Sequence, residues 1–462
     1  MPQTTPPTDD RTGDRTGDRA GDRTDDRAGD PAGGGRRTEL DPLRVLMVAG
    51  LVFFHAALVF DAHDDFYVRN AQTTELALVV AAAGVLWAMP LLFFVAGLGA
   101  WHSLRRRGTG GFAAERVRRL GVPLVFGTLA LVPVPQWLRL RGETHQEISY
   151  LEFLPRFFRI RLEPGNFPFV LQGDYFETGH LWFLVLLLTF SLILAVLRWW
   201  LPAGRADRLR ERAAAYALRR RGVPLLPAVP LALFCALAGL EQEYAGWNRW
   251  AYLIFFLLGF AFTADGRFRA ALRRDVRLVV AAGVVLFLAG VPVMLAAGDG
   301  AFTALTPLAM TGRFLYGAAG WCWLVSILGL LDRPRRPRPA GAPAPDARPP
   351  APDAQPPDSD ARAPGRTSRR RAYLAEAVLP LYVLHQPIVV AVAYVVVRWD
   401  APIAAKYVTI VAVSLVLLAA SYDLLVRRTA LTRFLFGMRP ARPRRTRVPT
   451  RPSPPRRPRQ DR

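Results

Sequence analysis

His55 lies in the apolar run RVLMVAGLVFFHAALVF (44–60), eleven residues after Arg44. An ionisable side chain in hydrocarbon is costly and needs a partner or a task. At 100° per residue, eleven residues fall about 20° from three full helical turns. Arg44 and His55 therefore share one helix face, about 16 Å apart along the axis. An anion bound at Arg44 could reach His55 with its far end. A neutral imidazole there could take a proton or carry a transferred group. A snorkelling arginine beside a histidine hydrogen-bonded within a bundle fits the spacing equally well.

Three further stretches carry possible chemistry. In WHSLRRRGTGGFAAERVRRLGVP (101–123), Arg116 and Arg119 close a basic segment that reads as a loop, with His102 exposed in it. Clustered guanidinium groups suit a polyphosphate, although orientation charge alone gives the same pattern. In GDYFETGHLWFLVLLL (173–188), Asp174, Glu177, His180 and Trp182 gather where water meets an apolar span. Such a rim could bind sugar hydroxyls and stack sugar rings, or it could be an aromatic belt with a polar cap. In AVLPLYVLHQPIVV (377–390), Tyr382 and His385 are helix-surface neighbours. His385 could shuttle a proton, orient another group or simply pack. Arg313 and Asp423 lie in spans without an assignable partner. His63 and His145 lie outside the spans and receive no role. Cys235 and Cys322 both sit in apolar runs, so neither a disulfide framework nor a metal cluster is expected.

These residues must be held by helices in a bilayer. The chain has 462 residues, 52% hydrophobic, with a net charge of +23. Its mean hydropathy of +0.17 understates the apolar spans, which polar tails dilute. Ten runs approach the roughly 20 residues that cross a bilayer: 43–61, 76–101, 120–138, 180–200, 223–240, 250–265, 277–297, 309–331, 373–397 and 404–426. The third and fifth contain prolines, whose freed backbone groups packed neighbours can satisfy. The expected fold is an all-α, polytopic membrane bundle of about ten transmembrane helices. No cleavable signal peptide is evident, and the first span is expected to stay in the membrane.

Arginine supplies the charge, since Lys406 is the one lysine. The arginines cluster in 102–119, 201–222 and 266–276, between stretches poor in them, which points to membrane orientation rather than nucleic acid. Both termini then face the cytoplasm. The segment 139–179 is the exception, an outer loop with five arginines and several acids. Low complexity marks 1–40 as a disordered tail, 333–371 as a Pro- and Arg-rich cytoplasmic linker, and 431–462 as a basic disordered tail. They flank and divide a transmembrane domain of spans 1–8 (41–332) and spans 9–10 (372–430).

Together these stretches resemble the acyltransferase-3 family of integral membrane acyltransferases, over most of 41–430 outside the linker. The carriers, in order, are Arg44-ten residues-His55, MPLLFFVAGLGAW (89–101) and the Arg-x-x-Arg of Arg116 and Arg119. GHLWFL (179–184) and LPLYVLHQPI (379–388) complete the series. LVPVPQWLRLRGE (131–143) with SYLEFLPRFF (149–158) is most similar to the glucan biosynthesis protein C branch, associated with succinylation of periplasmic glucans. The resemblance implies a plasma-membrane O-acyltransferase. It would move an acetyl or succinyl group from cytoplasmic acyl-coenzyme A, a co-substrate, to an extracytoplasmic glycan or glycolipid. No bound cofactor or metal is implied. His55 would be the catalytic residue, and Arg44, Arg116 and Arg119 would bind the donor. Asp174, His180, Trp182, Tyr382 and His385 would support the acceptor or the chemistry. The resemblance leaves donor, acceptor, oligomeric state and the role of the tails open. The competing expectations are a transporter or flippase of a lipid-linked sugar or acyl compound, and a scaffold acting through its tails. Against transport stand the lack of a clear internal repeat and the unrelated contexts of His55 and His385.

Overall fold

A computed structural model describes residues 40–62, 65–76, 84–144, 148–201, 203–262, 265–332 and 366–439. His63, His145, the leader, most of the linker and the last residues of the chain lie outside the described residues.

The chain is a helical bundle. Its helices are α1 (Leu40–Leu58), α2 (Ala88–Arg116), α3 (Val122–Ala130), α4 (Pro133–Thr144), α5 (Tyr150–Phe157), α6 (Trp182–Trp200) and α7 (Ala203–Arg219). There follow α8 (Ala228–Ala238), α9 (Arg249–Phe262), α10 (Gly266–Ala297), α11 (Pro307–Leu331), α12 (Arg366–Val396), α13 (Ile403–Ser421) and α14 (Ala430–Leu435). Among the described residues the strands are β1 (Ile160–Leu162) and β2 (Leu171–Gly173), an antiparallel pair.

Six helical stretches among the described residues are long and apolar enough to cross a membrane: Ala88–Glu143, Gly179–Trp200, Gly266–Gly300, Pro307–Leu331, Ala372–Val396 and Ile403–Val426. Leu43–Leu58 and Val223–Ala238 are shorter apolar helices. The run expected as one span at 120–138 breaks at Leu131–Val132, ahead of Pro133 and Pro135. A residue before proline is pushed out of the helical region. The freed amides of Leu131 and Val132 both donate to the Gly127 carbonyl, at 2.9 Å each.

The basic segment 102–119, expected as a loop, is helical. Its one break is Gly108, which takes φ 68 inside α2, a conformation open to glycine. His102 is accordingly a half-buried helical residue, with Nδ1 3.3 Å from the Leu98 carbonyl. After Arg116 the helix widens into a π turn, Val117–Gly121. Helix α12 starts at Arg366, inside the stretch read as linker. The chain after 430 forms α14, capped by the Thr429 hydroxyl on the Thr432 amide at 3.1 Å. Phe436 and Met438 beyond it are buried.

Small residues let the helices approach closely. A Cβ on Gly97 would strike the Phe256 carbonyl oxygen, and one on Gly259 the Phe94 carbonyl oxygen. These two glycines set the α2–α9 crossing, which fixes Phe93 against Tyr252 at 4.6 Å between ring centroids. Gly97→Leu is expected to cost at least the upper part of the about 1–3 kcal/mol typical of overpacking. A thermal melt and the folded fraction on size exclusion read this; a wild-type melt would refute it. Arg313 and Asp423 do find partners. Arg313, wholly buried, donates to the carbonyls of Ala236, Ala301 and Ala304 at 2.9–3.3 Å. Asp423 accepts from Tyr373 at 3.0 Å and Arg427 at 2.8 Å.

Candidate active site

One end of α1 meets the arginines of α2. Arg44 donates to the Val95 carbonyl at 3.2 Å. Arg44, Arg107 and Arg119 all lie within electrostatic range of Arg116, with Glu115 as the neighbouring acid. Glu115 ion-pairs with Arg107 at 3.3 Å and Arg119 at 3.6 Å. The Arg116 guanidinium lies over the Phe112 ring at 5.0 Å, and its Nε is buried without a partner among the described residues. The π turn lies between Arg116 and the helix that follows and carries Arg119. Arg119 also donates from Nε to the Gly437 carbonyl at 3.3 Å. Four cations against one carboxylate make a site for a multiply charged anion.

His55 stands in the last turn of α1. Its ring is 5.1 Å from that of His385 on α12, and His385 is 5.0 Å from His180. The expectation that His55 and His385 sit in unrelated contexts is thus overturned: three histidines far apart in sequence converge. They are locked differently. His180 donates from Nε2 to the Val383 carbonyl at 3.0 Å, and Tyr382 donates to the His180 carbonyl. His385 donates from Nδ1 to the Tyr382 carbonyl. A carbonyl only accepts, so these contacts fix the tautomers of His180 and His385. The remaining His385 Nε2 and the His55 Nδ1 are both buried without a partner among the described residues. Phe66 stacks on the far side of His55 at 5.7 Å.

Two cavities meet at this cluster. An apolar chamber of about 260 Å³ is lined from Leu43 and Leu46, which flank Arg44, through Met47 and Leu51 to His55, His180, Trp182, Tyr382 and His385. A polar cavity of about 700 Å³ opens on the other side, lined by His55, His180, Trp182, Gln136, Gln386 and several acids and aromatics. His55, His180 and Trp182 line both. Asp174 stands at the exposed rim of this cavity and pairs with Arg161 at 3.0 Å.

The polar cavity holds a network that went largely unread in the sequence. Tyr67 donates its hydroxyl to Glu177. Gln136 also bonds Glu177, and Gln386 bonds Tyr67. Gln136 and Gln386 are buried amides in apolar runs, a signal of the same kind as His55. Loss of hydration pushes the Glu177 carboxyl above its ordinary value of 4.5. The Tyr67 hydroxyl is raised too, by burial first and then by Glu177. The folded chain thus keeps the Glu177 proton at pH values where the unfolded chain has lost it. Stability from this group is full below about 4.5 and is lost as pH rises through the folded value. Wild type should therefore lose stability relative to Glu177→Gln as pH rises over this window. Paired thermal melts from about pH 4 to about pH 8 test this; parallel profiles would contradict it.

The structure thus brings Arg44, Arg116 and Arg119 together at one end, and His55, His180, Trp182, Tyr382 and His385 at the junction of two cavities. Among the described residues, no group of three or more His, Cys, Asp or Glu could hold a metal ion. The acyltransferase-3 family model, described as an acyltransferase domain, matches residues 37–423. No curated protein and no solved structure matches the chain. With that match spanning most of its length, this multi-pass membrane chain belongs to the acyltransferase-3 family and is a transferase of acyl groups other than aminoacyl groups.

Proposed function

We propose that the protein is a plasma-membrane O-acyltransferase. It moves an acyl group from cytoplasmic acyl-coenzyme A to a hydroxyl of an extracytoplasmic carbohydrate. The carrying observation is that His55 lines both cavities, the apolar one that begins beside Arg44 and the polar one opposite.

In this reading Arg44, Arg116 and Arg119 hold the coenzyme A phosphates, with guanidinium forks matched to phosphate oxygens. The pantetheine arm runs through the chamber along the Arg44–His55 face and brings the thioester to His55. The acceptor occupies the polar cavity, its hydroxyls facing Gln136, Glu177 and Gln386 and its rings facing Trp182, with Asp174 at the rim. Neutral His55 takes the proton of the attacking hydroxyl as the thioester carbonyl is attacked. The acyl–sulfur bond breaks, protonated His55 returns its proton to the departing thiolate, and coenzyme A leaves as the thiol toward the arginine end. His180, His385 and Tyr382 hold the imidazole in place.

In this reading the donor end and both termini face the cytoplasm, which the arginine-rich stretches support through the positive-inside bias. Supplying labelled acyl-coenzyme A to membranes with and without the protein tests the function. Protein-dependent transfer of label to envelope carbohydrate is expected. Transport of an intact sugar or acyl compound without thioester turnover would refute it.

A further inference from the structure

Resting on the chamber as the donor's path, we infer that the transferred acyl group is uncharged, and that dicarboxylic donors such as succinyl-coenzyme A are excluded. The argument comes from what surrounds the reacting thioester on both sides of His55.

On the donor side the chamber wall includes Leu43, Met47, Leu51, Phe54, Trp87 and Met89. Among the described residues it contains no arginine, lysine, asparagine or glutamine. Among the described residues of the wall the ionisable side chains are the imidazoles and the Tyr382 phenol, and His180 and His385 each commit a ring N–H to a carbonyl. His55 must be neutral to accept a proton. A carboxylate carried into this chamber would lose its hydration without a fixed counter-charge, which is strongly unfavourable.

A carboxylate could instead reach past His55 into the polar cavity. That cavity presents Asp65, Glu143, Asp174, Glu177 and Glu243. Among the described residues its one arginine, Arg139, is already paired with Asp65 and Glu143. An anionic acyl terminus would meet net negative charge there. The cluster of Arg44, Arg107, Arg116 and Arg119 lies at the other end of α1, where it suits the phosphates. A group such as acetyl or propionyl fits an apolar wall on one side and asks nothing of the acids on the other.

The experiment uses membranes containing the full chain and their own envelope glycans, with His55→Ala membranes as background. Isotope-labelled acetyl-, propionyl- and succinyl-coenzyme A are supplied in turn, and ester-linked label is quantified by mass spectrometry. Acetyl and propionyl transfer should exceed succinyl transfer at least 100-fold. Unlabelled succinyl-coenzyme A should still inhibit acetyl transfer, because its phosphates meet the same arginines. In Leu51→Arg, one turn before His55, the preference should narrow at least tenfold. Succinyl transfer at a rate comparable to acetyl in the wild type would overturn the inference and leave the acyltransferase reading intact. Absence of His55-dependent transfer of every label would sink that reading and this inference with it.

Discussion

His55→Ala is expected to lower acyl transfer by about 10²- to 10⁴-fold, the range a positioned acid–base group supplies. Binding of coenzyme A should change little, because the arginines that would hold its phosphates lie near the other end of α1. The melt should change little too. The His55 ring is only half-buried and its Nδ1 makes no hydrogen bond among the described residues. His385→Ala and His180→Ala should be milder, since each ring is tied to a carbonyl and would act by holding His55. Kinetics of the three variants beside a coenzyme A binding isotherm decide this. Near-normal turnover in His55→Ala with severe loss in His385→Ala would move the base to His385.

Arg116→Ala is expected to raise the KM for acyl-coenzyme A by about 10- to 100-fold, corresponding to the roughly 1.5–3 kcal/mol of a hydrogen bond to a charged group. The kcat should fall much less, because the phosphates take no part in bond making. Arg116 is the sharpest test among the arginines. Arg44 is engaged with a carbonyl, and Arg119 with Glu115 and Gly437. Among the described residues Arg116 keeps a buried Nε without a partner. Arg116→Lys should rescue only partly, because an ammonium lacks the planar fork. Added salt should weaken donor binding more in the wild type than in Arg116→Ala. A change in kcat alone would contradict a donor-binding role.

What the sequence disclosed was local. The Arg44–His55 face followed from helix geometry, and the structure carries both residues on α1. Most helices follow the apolar runs, although prolines split the third. His102 went astray because a glycine-rich arginine segment looks like a loop, whereas α2 runs through it with a single break at Gly108. The convergence of His55, His180 and His385 was hidden, since packing of α1 against α12 and the start of α6 makes it. The π turn and the Gly437 carbonyl under Arg119 leave no composition signal. The Tyr67–Glu177–Gln386 network spans three separate segments, of which Glu177 alone was singled out in the sequence, while the glutamines in apolar runs were an unread signal.

The central claim is that His55, as base, serves acyl transfer from a donor in one cavity to an acceptor in the other. Proteoliposomes of one orientation test it most directly. Labelled acetyl-coenzyme A is supplied only on the side of Arg44, Arg116 and Arg119, and glycan acceptor only on the other. Label should reach the acceptor with wild-type protein and fall to background with His55→Ala. Equal labelling by the variant, or labelling only when donor and acceptor share one side, would contradict it.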